Sequence, residues 1–485
     1  MYQTESFKQD SFVPARFESD GTITLRGQEI SYHTVSEDNV FYGEDGKPIG
    51  SLFSYSYFRT NVENAASRPV LFCFNGGPGS SSMFVHAGCF GVKRVYYGEG
   101  DGADRSVSLP PFPVIDNPDC LLDVADIVIV EPVGVGFGIL IDETKKDQFW
   151  GIEEDAESLL MFIEKWMARY NRVHSPKYLV GESYGCTRAA TAAGISVSGG
   201  KFRGYGVRFD GLVLIGDTVT TGKYFGVEMP VPHSVLRFPT FAAVNWYHNH
   251  PSEQTVEEFV AEAKAFADET YLLALYQGEA LQGEKRQAVL DRIHYYTGVS
   301  YEYLERNQME IDEDTFRAEL LKDKQKAVGR CDGRFTRPLY TPLLAEEDEI
   351  HGFWDDASGD SYDSYFYAAM TGTIAPSLNI RLNRVYTPST NLWRSWNTEC
   401  KGGTTGERLR NAMNMTWGMR TMFCNGWYDI CTEIGFVYYT LDHAGLPHDR
   451  CSVKGYPSGH MIYIGEENVK ALSEDLRSFI TAPLQ

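Results

Sequence analysis

A chain of 485 residues can hold one large α/β domain with an insertion, and 43% hydrophobic with 23% charged residues excludes disordered and fibrous classes. A net charge of −22 without any basic stripe excludes nucleic acid as a partner, and the acid excess reads as a solvated surface. No stretch approaches the roughly 18 apolar residues a membrane span needs, so none is expected.

The polar start, residues 1–8, lacks the charged, apolar and cleavage regions of a signal peptide. Nine cysteines without a Cys-x-x-Cys pair read as buried thiols in a reducing setting, so the expected location is cytoplasmic. Residues 21–27 and 50–58 alternate apolar and polar between turn signals, the pattern of antiparallel hairpin strands. After Pro69 the runs 70–74 and 127–130 are continuously apolar, as in strands buried on both faces. Apolar residues recur at helical spacing over 150–172. A strand at 178–180 then meets Ser183, followed by small, helix-compatible residues over 187–194, and 211–215 is a further buried strand.

The strand-helix alternation lapses over 217–385, where 256–277 and 284–296 read as amphipathic helices, and this stretch is expected to form a cap. The Ser/Gly/Asp-rich segment 355–364 is expected to be a mobile loop. Strands resume at 420–424 and 451–454, and a helix over 466–480 closes the chain. The expected division is a first core segment (residues 1–216), a cap insertion (residues 217–385) and a second core segment (residues 386–485).

Gly181-Glu182-Ser183-Tyr184-Gly185 has the Gly-x-Ser-x-Gly form of a nucleophile elbow, with a strand entering and a helix leaving, as a tight turn presenting a serine hydroxyl requires. A serine becomes a nucleophile near neutral pH only when a base takes its proton and an acid orients that base. The order in such folds is Ser, acid, His, each in a loop after a core strand; Asp429 and His460 satisfy both conditions. The glycine-rich Asn75-Gly-Gly-Pro-Gly-Ser-Ser-Ser82 follows a buried strand, so its backbone N–H groups, with that of Tyr184, suit an oxyanion hole. It carries no Lys after the glycines and is not a phosphate loop. The expected fold is therefore an α/β-hydrolase: a mostly parallel central sheet flanked by helices, with a largely helical cap insertion.

Other histidines are assigned to structure. His248 and His250 have metal-like spacing but no acid or cysteine completing a site, so they read as surface or cap packing. His443 and His448 read as solvent-facing and His86 as core or loop packing. No metal and no cofactor is expected.

Four motifs together resemble the serine carboxypeptidase family, of which cathepsin A is a member: Asn75 to Ser82, Gly181 to Gly185, Gly426-Trp-Tyr-Asp429 and Gly459-His-Met461. Ser80-Ser-Ser82 and Trp246-Tyr-His248 look more like its bacterial branch. The resemblance implies Ser183 as nucleophile, Asp429 as orienting acid, His460 as base and the N–H groups of Gly77 and Tyr184 as oxyanion hole. It further implies that Asn75 and Glu182 bind the C-terminal carboxylate of a peptide. The implied activity is a serine carboxypeptidase acting on peptides as monomer or homodimer, with an esterase or acyltransferase using the same triad as the alternative. Two departures stand out: Cys89 lies where the family has a second Glu paired with the first, and Ser80 replaces a disulfide-forming Cys.

Overall fold

The computed structural model describes residues 12–103, 108–200, 202, 204, 206–222, 230–339, 356–392 and 395–483. The polar start at 1–8 lies outside the described residues.

Three long strands, β1 (Arg16–Leu25), β2 (Gln28–Tyr42) and β3 (Pro48–Arg59), open the fold as an antiparallel meander. Leu25 pairs with Gln28 across Arg26 and Gly27, both at positive φ (50° and 77°), the mirror-image turn whose twist matches that of the strands it joins. The following strands are short: β4 (Val70–Phe74), β5 (Asp126–Glu131), β6 (Ile139–Leu140), β7 (Lys177–Glu182), β8 (Gly211–Ile215), β9 (Arg420–Gly426) and β10 (Cys451–Tyr456). Among the described residues they complete a ten-stranded sheet in the order β1-β2-β3-β5-β4-β7-β8-β9-β10, with β6 beside β3. From β5 to β10 every neighbour is parallel.

The continuous apolar runs are explained by helices on both faces. Leu71, Cys73, Ile127, Val180 and Val213 face one cluster, and Phe72, Val128, Leu179 and Leu214 face the other, the two-residue period of a strand. On the second side lie α1 (Ile152–Arg169) and α2 (Tyr184–Val197). Leu160 and Ile163 of α1 are fully buried there, each contributing roughly 1.5–3 kcal/mol.

Between β8 and β9 the chain is mainly helical. α3 (His233–Asn249), α4 (Val256–Phe266) and α5 (Gly283–Thr297) share a separate core around Phe238, Phe241, Phe259 and Tyr296. α4 begins with a reciprocal cap, Thr255 to the Glu258 N–H and Glu258 back to Thr255, and continues through a π turn at Ala267–Tyr271 into Leu272–Gln277. Trp427, Tyr428 and Ile430 from the loop after β9 join this core, so the cap rests on that loop.

One expectation is corrected. The segment 355–364 is not a loop beyond Asp356: α6 (Gly359–Ala369) occupies most of it. Tyr362, Tyr365, Phe366 and Ala369 recur at helical spacing and are buried, and that packing outweighs the local Ser/Gly/Asp composition. Past it, α7 (Thr405–Met415), α8 (Ile434–His443) and α9 (Glu466–Thr481) return to the core. Among the described residues no helix is long and apolar enough to cross a membrane.

Candidate active site

The elbow is a strand-to-helix turn with a strained residue at its apex. β7 ends at Glu182, α2 begins at Tyr184, and Ser183 between them sits at φ 59°, ψ −131°. Such a conformation costs of order 1–3 kcal/mol and persists only if its surroundings hold it. Here Ser183 N donates to Ile215 O (2.8 Å), while its carbonyl accepts from Cys186 N (2.8 Å) and Thr218 Oγ1 (2.9 Å). The turn closes so tightly that a Cβ on Gly181 would lie 2.2 Å from the Gly185 carbonyl oxygen.

Acid and histidine come from the loops after the next two core strands. Asp429 is fully buried; its Oδ1 accepts the N–H groups of Cys431 (2.8 Å) and Thr432 (2.9 Å), and its Oδ2 accepts the Thr432 hydroxyl (2.5 Å). The same Oδ2 lies 2.8 Å from His460 Nδ1, which leaves Nε2 as the ring nitrogen for a second partner. Burial opposes a charge on His460. Asp429, with Cys431 and Glu182 nearby, opposes that and favours the imidazolium that forms when the ring takes up a proton. Ser183, His460, Glu182, Asn75 and Gly77 line one cavity, so the residues singled out in the sequence meet.

The glycine loop lies directly on the elbow. A Cβ on Gly76 would sit 2.4 Å from Tyr184 N, and Gly77 has φ +103°, where a side chain is strained and would meet the Ser80 and Gly79 nitrogens. Below, the Ser82 hydroxyl donates to Val130 O (2.6 Å) and its N–H donates to Glu131 (2.7 Å). Above, a segment returning from the cap is strapped across the loop: Thr390 N donates to Gly79 O (2.7 Å), Ser81 N to Pro388 O (2.9 Å), and Ser80 bridges Ser389.

Glu182 is buried beside Ser183. Asn75 Nδ2 donates to its Oε1 and the Tyr463 hydroxyl to its Oε2, both at 2.8 Å. Burial pushes its pKa up to about 7, against His460, Tyr463 and Asn75, which favour the charged form. Cys89 is close enough for Glu182 to raise its thiol pKa further, but its hydrogen bond goes to Val85 O (3.7 Å). Tyr463 is therefore the hydroxyl donor that meets Glu182. Nothing in the sequence singles out Tyr463 or Thr432, although each lies three residues past a predicted triad member.

Among the described residues the remaining histidines lie outside the cavity. His86 is buried with Nε2 2.6 Å from the Tyr57 hydroxyl, and burial pushes it down to about 3. His248 contacts Gly333 O (2.7 Å), His250 caps α3 edge-on to Trp246, and His443 and His448 are exposed. Among the described residues the one cluster with metal-ligand spacing is Asp429, Cys431 and His460. Its acid and imidazole are already hydrogen-bonded to each other.

Known proteins similar to this chain include plant serine carboxypeptidase-like proteins. Serine carboxypeptidase-like 20 of Arabidopsis thaliana is 31% identical over 246 residues, covering 48% of this chain and 43% of that protein. Serine carboxypeptidase-like 33 of the same plant is 29% identical over 189 residues, covering 36% and 34%. The chain thus aligns with less than half the length of these curated relatives. Kex1(Δ)p, a prohormone-processing carboxypeptidase from Saccharomyces cerevisiae, shares the fold with a TM-score of 0.54 at 14% identity, covering 93% of this chain and 90% of that one. The family model described as serine carboxypeptidase matches residues 48–333, a segment that contains both the glycine loop and the elbow. With more than half its length in that match, the chain belongs to the serine carboxypeptidase family.

Proposed function

We propose that this protein is a serine-type carboxypeptidase that removes C-terminal residues from peptides through an acyl-enzyme, with Ser183, His460 and Asp429 as its triad. The observation that carries the reading is the His460–Asp429 pair at 2.8 Å, opening into a cavity that also holds Ser183 and Glu182. Ser183 Oγ attacks the scissile carbonyl and passes its proton to His460 Nε2, and Asp429 stabilises the imidazolium. The N–H groups of Gly77 and Tyr184 receive the oxyanion. His460 then returns the proton to the departing amine, and a water molecule releases the acyl group by the same steps in reverse order.

In this reading Glu182 and Asn75 bind the substrate's terminal carboxylate. A carboxyl group donates to a carboxylate only while it is protonated, and burial keeps Glu182 protonated up to about pH 7. Recognition of a free C-terminus is thus strongest below neutrality. The bacterial-branch resemblance rests on Ser80-Ser-Ser82 and Trp246-Tyr-His248 alone.

A second reading, an esterase or acyltransferase with the same triad, is favoured by Cys89 in place of the partner carboxylate. N-blocked dipeptides compared with their C-terminal amides and esters separate the two. Preference for the free acid supports the carboxypeptidase; indifference to the terminal charge overturns it.

A further inference from the structure

Two cysteines a hundred positions apart in number, Cys331 and Cys431, line the same cavity as Ser183 and His460. Their thiols are hydrogen-bonded to each other. They meet because the segment beginning at Arg330 is laid across both catalytic loops. Arg330 O accepts from Ile430 N (3.0 Å), Cys331 O from His460 N (2.6 Å), and Gly333 N donates to Tyr428 O (2.8 Å). Asp356 clamps the segment from the other side, accepting from Arg330 N (2.8 Å) and Cys331 N (2.7 Å). Arg330 Nη1 stands 3.2 Å from the Cys431 sulfur. The triad as proposed uses neither thiol.

We infer that Cys331 and Cys431 form a redox-active dithiol in the wall of the catalytic cleft, which hydroperoxides close to a disulfide and which then slows the triad. The two thiols are neighbours, both residues line the cavity, and a guanidinium faces one of them; those are features of a reactive thiol with a resolving partner. The hydrogen bond from Cys331 draws the Cys431 thiol down to about 7 against burial, with Arg330 and His460 adding to it and Asp429 opposing. The Arg330 guanidinium stands 3.2 Å from the Cys431 sulfur and favours its thiolate, so Cys431 is the attacking sulfur.

The chemistry balances with hydrogen peroxide as oxidant. The Cys431 thiolate attacks one peroxide oxygen and breaks the O–O bond; the departing hydroxide takes up the proton that the thiol released and leaves as water. Cys331 then attacks the resulting sulfenic sulfur, and its S–H proton departs with the sulfenyl hydroxyl as a second water. The two sulfurs lose two electrons and the peroxide oxygens gain them.

A disulfide holds its sulfurs at about 2.05 Å, closer than two thiols in hydrogen-bond contact. Closure therefore pulls on the turn whose Cys431 N–H holds Asp429 Oδ1, and on the Cys331 carbonyl that receives the His460 N–H. A shift of about 1 Å in a catalytic geometry costs up to about 100-fold, so a fall of at least about tenfold is expected. The effect on activity rests on the proposed triad; the cross-link itself does not.

The test treats the full-length protein with hydrogen peroxide, blocks remaining thiols with iodoacetamide and maps the non-reduced digest by mass spectrometry. In parallel a fluorophosphonate probe reports the labelling rate of Ser183. The expected result is a peptide joining Cys331 to Cys431, slowed labelling, and recovery with dithiothreitol. Cys431→Ser, compared with its own untreated rate, should be insensitive to peroxide, and Cys331→Ser should stop at a dimedone-trappable sulfenic acid. A digest without the joined peptide overturns the dithiol, and a joined peptide with unchanged labelling overturns its control of the site. If untreated protein fails to label, the hydrolase reading falls while the digest still decides the cross-link.

Discussion

The two walls of the cleft are built by different physics. On the core side the glycine loop and the elbow are positioned by backbone: a positive φ at Gly77 and Ser183, contacts that leave no room for a Cβ, and main-chain hydrogen bonds from the strap at 388–390. On the cap side the segment at 330–335 is held by main-chain hydrogen bonds to Tyr428, Ile430 and His460 and, in addition, by side chains. Arg334 is buried with Asp332 and reaches the Ser458 hydroxyl (3.0 Å) in the histidine loop, Arg330 pairs with Glu313, and Asp356 receives two backbone N–H groups. A backbone-built wall is fixed once folded. The ionisable and sulfur-bearing groups of the cap-side segment add a response to proton and electron activity, as the buried Glu182 does on the core side.

Substitutions on the two walls should therefore differ in kind. Ser183→Ala is the largest expected effect: kcat should fall about a millionfold and fluorophosphonate labelling should vanish, and Asp429→Asn should cost about 10⁴-fold with labelling much slowed. Gly77→Ala comes next, because its Cβ would meet the Ser80 nitrogen at 2.6 Å in a loop that cannot yield. Displacing one oxyanion donor costs about 10²–10³-fold in kcat with little change in KM, which steady-state kinetics on an ester will read. On the cap side, Arg334→Met strands the buried Asp332 carboxylate and should cost about 3–5 kcal/mol in urea unfolding.

The smallest effects belong to the carboxylate site. Glu182→Leu should raise KM for peptide acids about tenfold while leaving esters nearly unchanged, the loss of one hydrogen bond to a charged group. In the unsubstituted protein KM for peptide acids should climb as pH rises through about 7, since protonated Glu182 is the binding form and its burial sets that value. Tyr463→Phe removes a hydrogen bond that favours the ionised form, so the climb should move to higher pH by under about one unit. A movement to lower pH would break the assignment of Tyr463 as a donor to Glu182.

What is legible in the sequence follows the same division. Ser183, the glycine loop, Asp429 and His460 announce themselves because strained turns demand glycines and because the turns follow apolar strands of recognisable length. α3 does not, with Pro239 inside it, and neither does α6, whose Tyr362, Tyr365 and Phe366 are masked by Ser, Gly and Asp between them. Tyr463 and Thr432 are silent for a further reason. A tyrosine or a threonine becomes a site residue only when the fold turns its hydroxyl onto Glu182 or Asp429, and no local pattern encodes that meeting. The proximity of Cys331 and Cys431 is of the same sort, joining a segment of the cap to the loop after β9.

The strap across the glycine loop also orders events in time. Ser80 waits for Ser389, and Gly79 for Thr390, so during synthesis the loop next to the elbow stays unclamped until the whole cap has emerged. Contacts between such distant segments form late, because their chain closure must be achieved before they add stability. The N-terminal strands and the elbow helix can assemble early as a partly built sheet, and the cap's far end can be fastened over the loop only afterwards. A newly made chain thus has no finished cleft until the residues beyond the cap have been made, a safeguard that lies in the order of the chain itself.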